Sequence, residues 1–381
     1  MPTEISKLAE ALSISDILNA LEIENGADLE ESDLYFVVPG NSGPRWLVPA
    51  VSSGATSVLK GWRPYSLTGR AKWLAIRMAA RAGIVRLFPS VSSVTISRRN
   101  SQRWFERCGI AAKAGKMVIM VGNPSPDRKL TVFLVDEAHH IVAVLKVGLT
   151  PGGRLSVAHE AEVLRGLERY SWAPDFLAVF PDLGAAAQEY VPGTQPDSEF
   201  HQEYLNLLCN MPLSGTSLNL IDAAHAIDGR LRPFADELQG IAPDLLHRCL
   251  SCLDLDRDIP AMLVHGDFVP WNIRKTSEIV YVLVDWEWAD FSGLPMHDLL
   301  HFYFSVNRNL GKMSGGYAAI RESSVCKEYL RQMDLDTALL PQFAIMYLLE
   351  QLASHSEHRD PAGRSYTLNQ LKAVIGSLGS A

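Results

Sequence analysis

The sequence has no apolar run near the roughly 18 residues that a membrane-spanning helix needs, so no such span is expected. Its opening, MPTEISKLAEALSISD, lacks a basic segment followed by an apolar core, and no signal peptide is expected. Cysteine is scarce and scattered. The five are Cys108, Cys209, Cys249, Cys252 and Cys326, an odd set that fits a cytosolic chain with free thiols. Only Cys249-x-x-Cys252 is close-spaced. With no second pair, and inside the helical pattern DLLHRCLSCL, it reads as ordinary helix residues rather than a metal or redox site. Internal repeats and low-complexity tracts are lacking, and the composition excludes a disordered chain, a collagen-like repeat and a coiled coil. What remains is ordinary globular composition, 47% hydrophobic and 20% charged, in 381 residues that allow two or three domains.

The net charge of −8 is unevenly spread. Residues 1–33 hold nine acids and one base, whereas residues 60–116 hold thirteen Lys/Arg and one acid, Glu106. The two blocks either neutralise each other inside the fold or leave the basic block to face an anion. On a helix read over Gly69 to Ala82, Arg70, Arg77 and Arg81 lie within about 40° of one another. That stripe is either the solvated edge of a packed helix or a contact for an anionic membrane surface or a phosphorylated, lipid-linked substrate, extended by Lys60, Arg63, Arg98, Arg99, Arg103 and Arg107. Nucleic acid is not expected, since the whole chain is acidic and shows no recognisable nucleic-acid module.

Three zones follow from the patterning. In residues 1–112, Ser6 to Leu21 reads as a helix, Leu34–Pro39 and Arg45–Pro49 as strands joined by a loop, and Val85–Phe88 and Ser93–Ile96 as further strands. Ser101 is the expected N-cap of a short helix, QRWFERC. In residues 113–192, Lys116–Val121, Lys129–Val135 and His140–Val147 read as an antiparallel meander. A Gly/Pro loop over Gly148 to Gly153 then leads to a helix, SVAHEAEVLRGLERY, and to the apolar runs Phe176–Phe180 and Ala185–Val191. Residues 193–381 are mostly helical by pattern, except for two short strands, Met262–Val264 and Ile279–Val284, flanking a loop.

That loop carries the chemistry. In LVHGDFVPWNIRKTSEIVYVLVDWEWAD, four residues separate Asp267 from Asn272, and Asp285 follows at the end of the second strand. Phosphoryl transfer needs a base near the attacking hydroxyl and oxygen ligands that hold Mg²⁺ on the phosphates. Mg²⁺ favours one or two carboxylates plus phosphates and water, and an Asp–x₄–Asn loop with a later Asp supplies such groups.

HGDFVPWN followed by VDWEWAD resembles the aminoglycoside phosphotransferase and choline kinase family. The resemblance implies a protein-kinase-like fold, ATP and Mg²⁺ as cofactors, and phosphorylation of a small-molecule hydroxyl. It implies Asp267 as the catalytic base and Asn272 and Asp285 as metal ligands, with His265 bracing the loop. GLPMHDLLHF resembles the family's G-x-P-x-x-D-L segment, where Asp298 buttresses the loop. In VAVLKVG, Lys146 ends a strand where a lysine reaches ATP phosphates, and Glu160 in HEAEVLRGL resembles its paired glutamate; Glu162 is the weaker candidate. AAAQEYVPG resembles the inter-lobe linker, with backbone groups near Gln188, Glu189 and Tyr190 meeting the adenine edge.

The first hairpin departs from the protein-kinase pattern. It has no G-x-G-x-x-G, only GNPSPDR, where amides near Ser125 and its hydroxyl are expected to cover the phosphates. GLTPGGRL is rejected as a Walker loop, because Arg154 and Leu155 replace its Lys and Ser/Thr.

The fold expected is therefore α+β: a two-lobed protein-kinase-like chain with a mixed α/β N-terminal extension (1–112), a nucleotide-binding small lobe and linker (113–192) and a helical catalytic and acceptor-binding lobe (193–381). The function expected is ATP- and Mg²⁺-dependent transfer of the γ-phosphate to an amino alcohol, aminoglycoside, sugar or glycan precursor. The alternative is a nucleotide-binding pseudokinase serving as a regulatory or assembly subunit. A protein kinase is disfavoured by His-Gly-Asp and by the lack of an Ala-Pro-Glu segment. Residues 193–381 carry 24 acids and 14 bases, which suits an amine-bearing acceptor, and Trp286, Trp288 and Phe291 read either as an aromatic wall for it or as core. The location expected is cytoplasmic, at most peripheral at the inner membrane face.

Overall fold

The computed structural model describes residues 12–23, 31–40, 43–50, 58, 70–71, 73–75, 77–78, 91–111, 115–241, 244–253, 258–277, 280–310 and 316–378. The chain divides into two compact units, Met1–Pro196 with Trp271–Glu287, and Asp197–Pro270 with Trp288–Ala381.

Among the described residues, the first unit is built on one antiparallel sheet of eight strands: β1 (Ser32–Gly40), β2 (Gly43–Pro49), β3 (Ser92–Ser97), β4 (Lys116–Val121), β5 (Lys129–Val135), β6 (Ile141–Gly148), β7 (Phe176–Phe180) and β8 (Ala185–Glu189). Their order is β3-β1-β2-β4-β5-β6-β8-β7, so the strands of the N-terminal zone continue the sheet of the second zone through the β2–β4 pairing. Alternation decides which face each side chain joins. Leu130, Val132 and Leu134 on β5, and Ala143, Leu145 and Val147 on β6, enter one apolar core with Ile17, Leu47, Trp104 and Phe105. The intervening Thr131, Phe133, Val144 and Lys146 line a cavity on the other face.

Among the described residues, three continuous helices serve this unit. α1 (Ile14–Ala20) begins with a capping box: the Asp16 N–H donates to Ser13 Oγ (3.2 Å) and the Ser13 N–H donates to the Asp16 carboxylate (2.9 Å). The rest of the expected helix, residues 6–11, lies outside the described residues. α2 spans Arg98–Arg107, with Ser97 at its N-cap, so Ser101 is a buried helix residue rather than the cap. Trp104 pins α2 to α1 by donating from Nε1 to the Leu21 carbonyl (3.0 Å).

α3 spans Pro151–Gly166, beginning inside what reads as a Gly/Pro loop. Thr150 caps it by accepting the Gly153 N–H (3.0 Å), and Pro151 takes the first turn, where its missing N–H costs nothing. Gly153 is required there, because a Cβ would lie 2.4 Å from the Arg128 carbonyl oxygen.

The acidic and basic blocks meet. Arg98 pairs with Asp33 (3.3 Å), Arg99 with Glu31 (3.7 Å), Lys116 with Asp33 (3.8 Å), and both Arg103 (3.4 Å) and Arg107 (2.7 Å) with Glu22. These residues follow the neutralising reading of the charge. Arg70 and Arg77 lie on helical positions, with Arg77 over the Trp73 ring. Lys60, Arg63, Arg81 and the expected strand Val85–Phe88 lie outside the described residues.

A two-stranded ladder, β11 (Ile273–Lys275) with β12 (Tyr281–Leu283), completes the first unit. The two strands expected to flank the loop therefore do not pair with each other: the first belongs to β10 (Asp258–Val264) in the second unit, between β9 (Leu213–Asn219) and β13 (Asp290–Gly293).

The second unit is mainly helical. Its described helices are α4 (Gln202–Cys209), α5 (Leu220–Leu231), α6 (Ala235–Ile241), α7 (Leu245–Ser251), α8 (His297–Leu310), α9 (Gly316–Glu322), α10 (Ser324–Gln332), α11 (Leu340–Glu357) and α12 (Pro361–Leu378). α11 is apolar nearly all round, from Phe343 to Leu349, and is buried accordingly. Cys249 is a buried free thiol on α7, pushed up to about 12 by burial, as befits a packing residue. Among the described residues no helix is long and apolar enough to cross a membrane.

Candidate functional site

The sequence-predicted residues fall into two clusters, one in each unit. In the first, the row Trp46–Met120–Thr131–Lys146 runs across β2, β4, β5 and β6 in register, and all four line the cavity. The cavity measures about 290 Å³ and is lined further by Gln188, Glu189, Tyr190 and Val191 from β8 and its continuation, and by Asn272, Arg274, Val284 and Asp285.

Lys146 is buried, and its Nζ lies 2.7 Å from Glu160 and 2.5 Å from Asp285 Oδ1. Burial alone lowers a lysine's pKa; here the Asp285 and Glu160 carboxylates outweigh it and hold the ammonium above its ordinary range. Glu160 reaches the lysine because α3 packs on β6, and it also accepts the Trp286 N–H (3.2 Å). Glu162 points to solvent on the same helix and takes no part.

Asp285 follows β12 at φ +74°, a left-handed turn that Asp tolerates better than most residues, and the turn carries the Trp286 amide toward Glu160. Trp286 is fully buried, donates from Nε1 to the Leu283 carbonyl (2.9 Å) and packs beside Trp172, so it is core and not an acceptor wall. Asn272 is buried, and its backbone carbonyl accepts the Val284 N–H (2.9 Å), which ties it beside the strand end that carries Asp285. One carboxylate and one amide oxygen on one cavity wall suit Mg²⁺, which keeps water and phosphate as its other ligands.

Not every candidate is brought in. Ser125 is half-buried in the β4–β5 turn and does not line the cavity, whereas Gly122 of the same turn does. The Arg45 guanidinium donates to the Val121 carbonyl and to Asn123 Oδ1 (3.1 Å), and Arg128 donates to the Gly122 carbonyl (3.1 Å), so two arginines brace this turn. The Glu189 N–H is spent on the Asp175 carbonyl (2.8 Å). Burial raises the Tyr190 phenol.

Sequence reasoning missed Glu287, which accepts from Lys129 and from Ser156; Lys129 also lies 3.7 Å from Asp285. Its spacing, two residues after Asp285, was the available signal.

In the second unit the loop after β10 rests on Asp298, at the start of α8. The His265 N–H (2.7 Å) and the Gly266 N–H (2.9 Å) both donate to the Asp298 carboxylate, and His265 Nδ1 accepts the Asp267 N–H (3.3 Å). Gly266 has φ +80°, and a Cβ there would lie 2.1 Å from the Trp288 carbonyl oxygen, so only glycine lets the loop turn.

Burial pushes the Asp298 carboxyl up, but His297 and the loop amide outweigh it and hold the group below its ordinary range. His297 sits between Asp298 (3.7 Å) and Glu350 (3.4 Å). Burial disfavours its charge, and the two carboxylates raise it nonetheless to about 10. Asp267, His297, His301, Glu350, Arg230 and Trp288 line a pocket of about 630 Å³, where Trp288 is half exposed. Phe291 is exposed and does not line it.

No protein-family model matches the chain, and no curated protein matches it. Solved structures do. A Ralstonia eutropha protein named as an aminoglycoside phosphotransferase is 15% identical, with 74% of this chain and 98% of that chain covered at a TM-score of 0.53. The apo form of a thermostable mutant of aminoglycoside phosphotransferase APH(4)-Ia is 14% identical, with 74% and 100% covered at 0.51. Choline kinase LicA from Streptococcus pneumoniae is 13% identical, with 68% and 92% covered at 0.41, a likeness too weak to argue from. Two matches that span nearly the whole of their partners, one sheet-based unit and one helical unit lead to one conclusion: the chain has the protein-kinase-like fold of the aminoglycoside phosphotransferases.

Proposed function

We propose that the chain is an ATP- and Mg²⁺-dependent phosphotransferase that passes the γ-phosphate to a hydroxyl of a small molecule. The observation that carries this reading is the buried Lys146, held at 2.7 Å by Glu160 and at 2.5 Å by Asp285. A buried cation shared by two carboxylates costs solvation that a purely structural role meets more cheaply with apolar residues. The same group on a cavity wall is suited to gather phosphate oxygens and Mg²⁺.

Each residue then has a task. Lys146 neutralises phosphate charge, and Glu160 aims it. Asp285 and Asn272 hold Mg²⁺, which when bound supplies charge neutralisation on the phosphates. Asp267 orients the acceptor hydroxyl and takes its proton. The nucleotide base lies along Gln188, Tyr190 and Val191. The half-exposed Trp288, with the carboxylates of Asp267 and Glu350, lines a pocket fit for a polar acceptor such as an amino alcohol, an aminoglycoside or a sugar.

The test is direct. A thermal-shift screen of alcohols, amines and sugars with a non-hydrolysable ATP analogue and Mg²⁺ should find stabilisation by the analogue that depends on Mg²⁺, and further stabilisation by one acceptor class. No response to nucleotide with Mg²⁺ would rule the reading out.

A further inference from the structure

His301 lies on α8, one turn after Asp298, and is buried. Its Nε2 is 2.9 Å from Asp267 Oδ1 and its Nδ1 is 3.1 Å from the Tyr347 hydroxyl on α11. A carboxylate only accepts hydrogen bonds, so the ring hydrogen must sit on Nε2. The other nitrogen then accepts the Tyr347 O–H, whose proton burial keeps in place. Ser305 Oγ lies 3.1 Å from the same Nε2, and the His297 ring stacks at 6.2 Å with Glu350 beyond it. A relay of three side chains thus runs from the apolar interior of α11 to the carboxylate.

We propose that His301 is a positioning residue for Asp267, with Tyr347 behind it: the imidazole fixes the rotation of the carboxylate and so sets the direction in which it meets the attacking hydroxyl. This rests on the reading of Asp267 as base given above. The geometry favours a directed role over plain packing. A buried aliphatic residue fills the same volume without needing two polar partners, and both ring nitrogens are matched here to groups of complementary character. Misplacement of a reacting group by about 1 Å costs on the order of 10²-fold in rate, so loss of the anchor should act on the chemical step.

Two measurements test it on the full chain. The first is the ¹⁵N–¹H spectrum of the histidine rings in wild type, His301→Gln and Asp267→Asn. It should show His301 protonated at Nε2, with that resonance moved by Asp267→Asn. A ring protonated at Nδ1 alone would overturn the proposal. The second is steady-state hydrolysis of Mg-ATP, with water as the acceptor. His301→Ala should lower kcat by about 10–100-fold with the KM for ATP unchanged. His301→Gln, whose amide N–H can reach the same oxygen, should recover most of the loss, and Tyr347→Phe should fall between. Equal losses in the Ala and Gln variants, or a rise in KM alone, would overturn it. Should wild type neither bind nor hydrolyse Mg-ATP, the phosphotransferase reading fails, while the ring spectrum still decides whether His301 holds Asp267.

Discussion

Lys146 and Glu160, fourteen residues apart in sequence, meet at 2.7 Å across β6 and α3, with Lys146 7% and Glu160 3% exposed. Such a pair is asymmetric in its effects: removing one partner strands the other charge in the interior, whereas removing both leaves apolar or neutral groups. Lys146→Met should therefore cost about 3–5 kcal/mol. The double variant Lys146→Met/Glu160→Gln should be more stable than Lys146→Met alone. Denaturant titrations of Lys146→Met, Glu160→Gln and the double variant check this, and a double variant that simply adds the two single losses would show that the pair is not coupled. Turnover should be low in all three.

Asp285 is the second partner of Lys146, and its φ of +74° governs how it should be tested. Alanine at a left-handed position adds backbone strain to the loss of the carboxylate, whereas asparagine tolerates the conformation. Asp285→Asn should keep its thermal midpoint near wild type and lose most of the Mg²⁺-dependent part of nucleotide affinity. Calorimetry with and without Mg²⁺ separates the two quantities. An unchanged Mg²⁺ increment would remove Asp285 from the metal site.

His297 gives the fold a pH dependence with a definite sign. Its folded value, near 10, lies above the unfolded value near 6.5. The ion pairs to Asp298 and Glu350 are therefore fully present below about pH 6.5, and their stabilisation is lost as pH rises toward 10. Melting temperatures between pH 6 and 10 should decline, and His297→Gln should flatten that decline. A wild-type midpoint that does not change over this range would contradict the assignment.

Much of the fold was legible, for physical reasons that particular residues show. Strands β4 to β8 announce themselves because alternate residues face a core, as in KLTVFLV, where Leu130, Val132 and Leu134 are fully buried. β9 (LSGTSLN) gave no such signal: it is largely exposed, and pairing with β10 makes it a strand. The start of α3 was hidden because Pro-Gly-Gly reads as a loop unless Thr150 is recognised as its cap. In the candidate site, Asp267, Asn272 and Asp285 follow the spacing that made them candidates in the sequence. His301 does not, being one polar residue in the apolar run LLHFYF. The available clue was its place three residues after Asp298, which puts both on the face of α8 turned to the loop.

The central assignment is Asp267 as the base of a phosphotransferase, and the most direct measurement is the turnover of Mg-ATP by Asp267→Asn relative to wild type. The amide keeps the shape and leaves the loop hydrogen bonds of Asp298 intact, but it cannot take the hydroxyl proton. Turnover should fall by about 10²–10⁴-fold while Mg-ATP affinity stays near wild type. Turnover close to wild type in the variant would contradict the assignment.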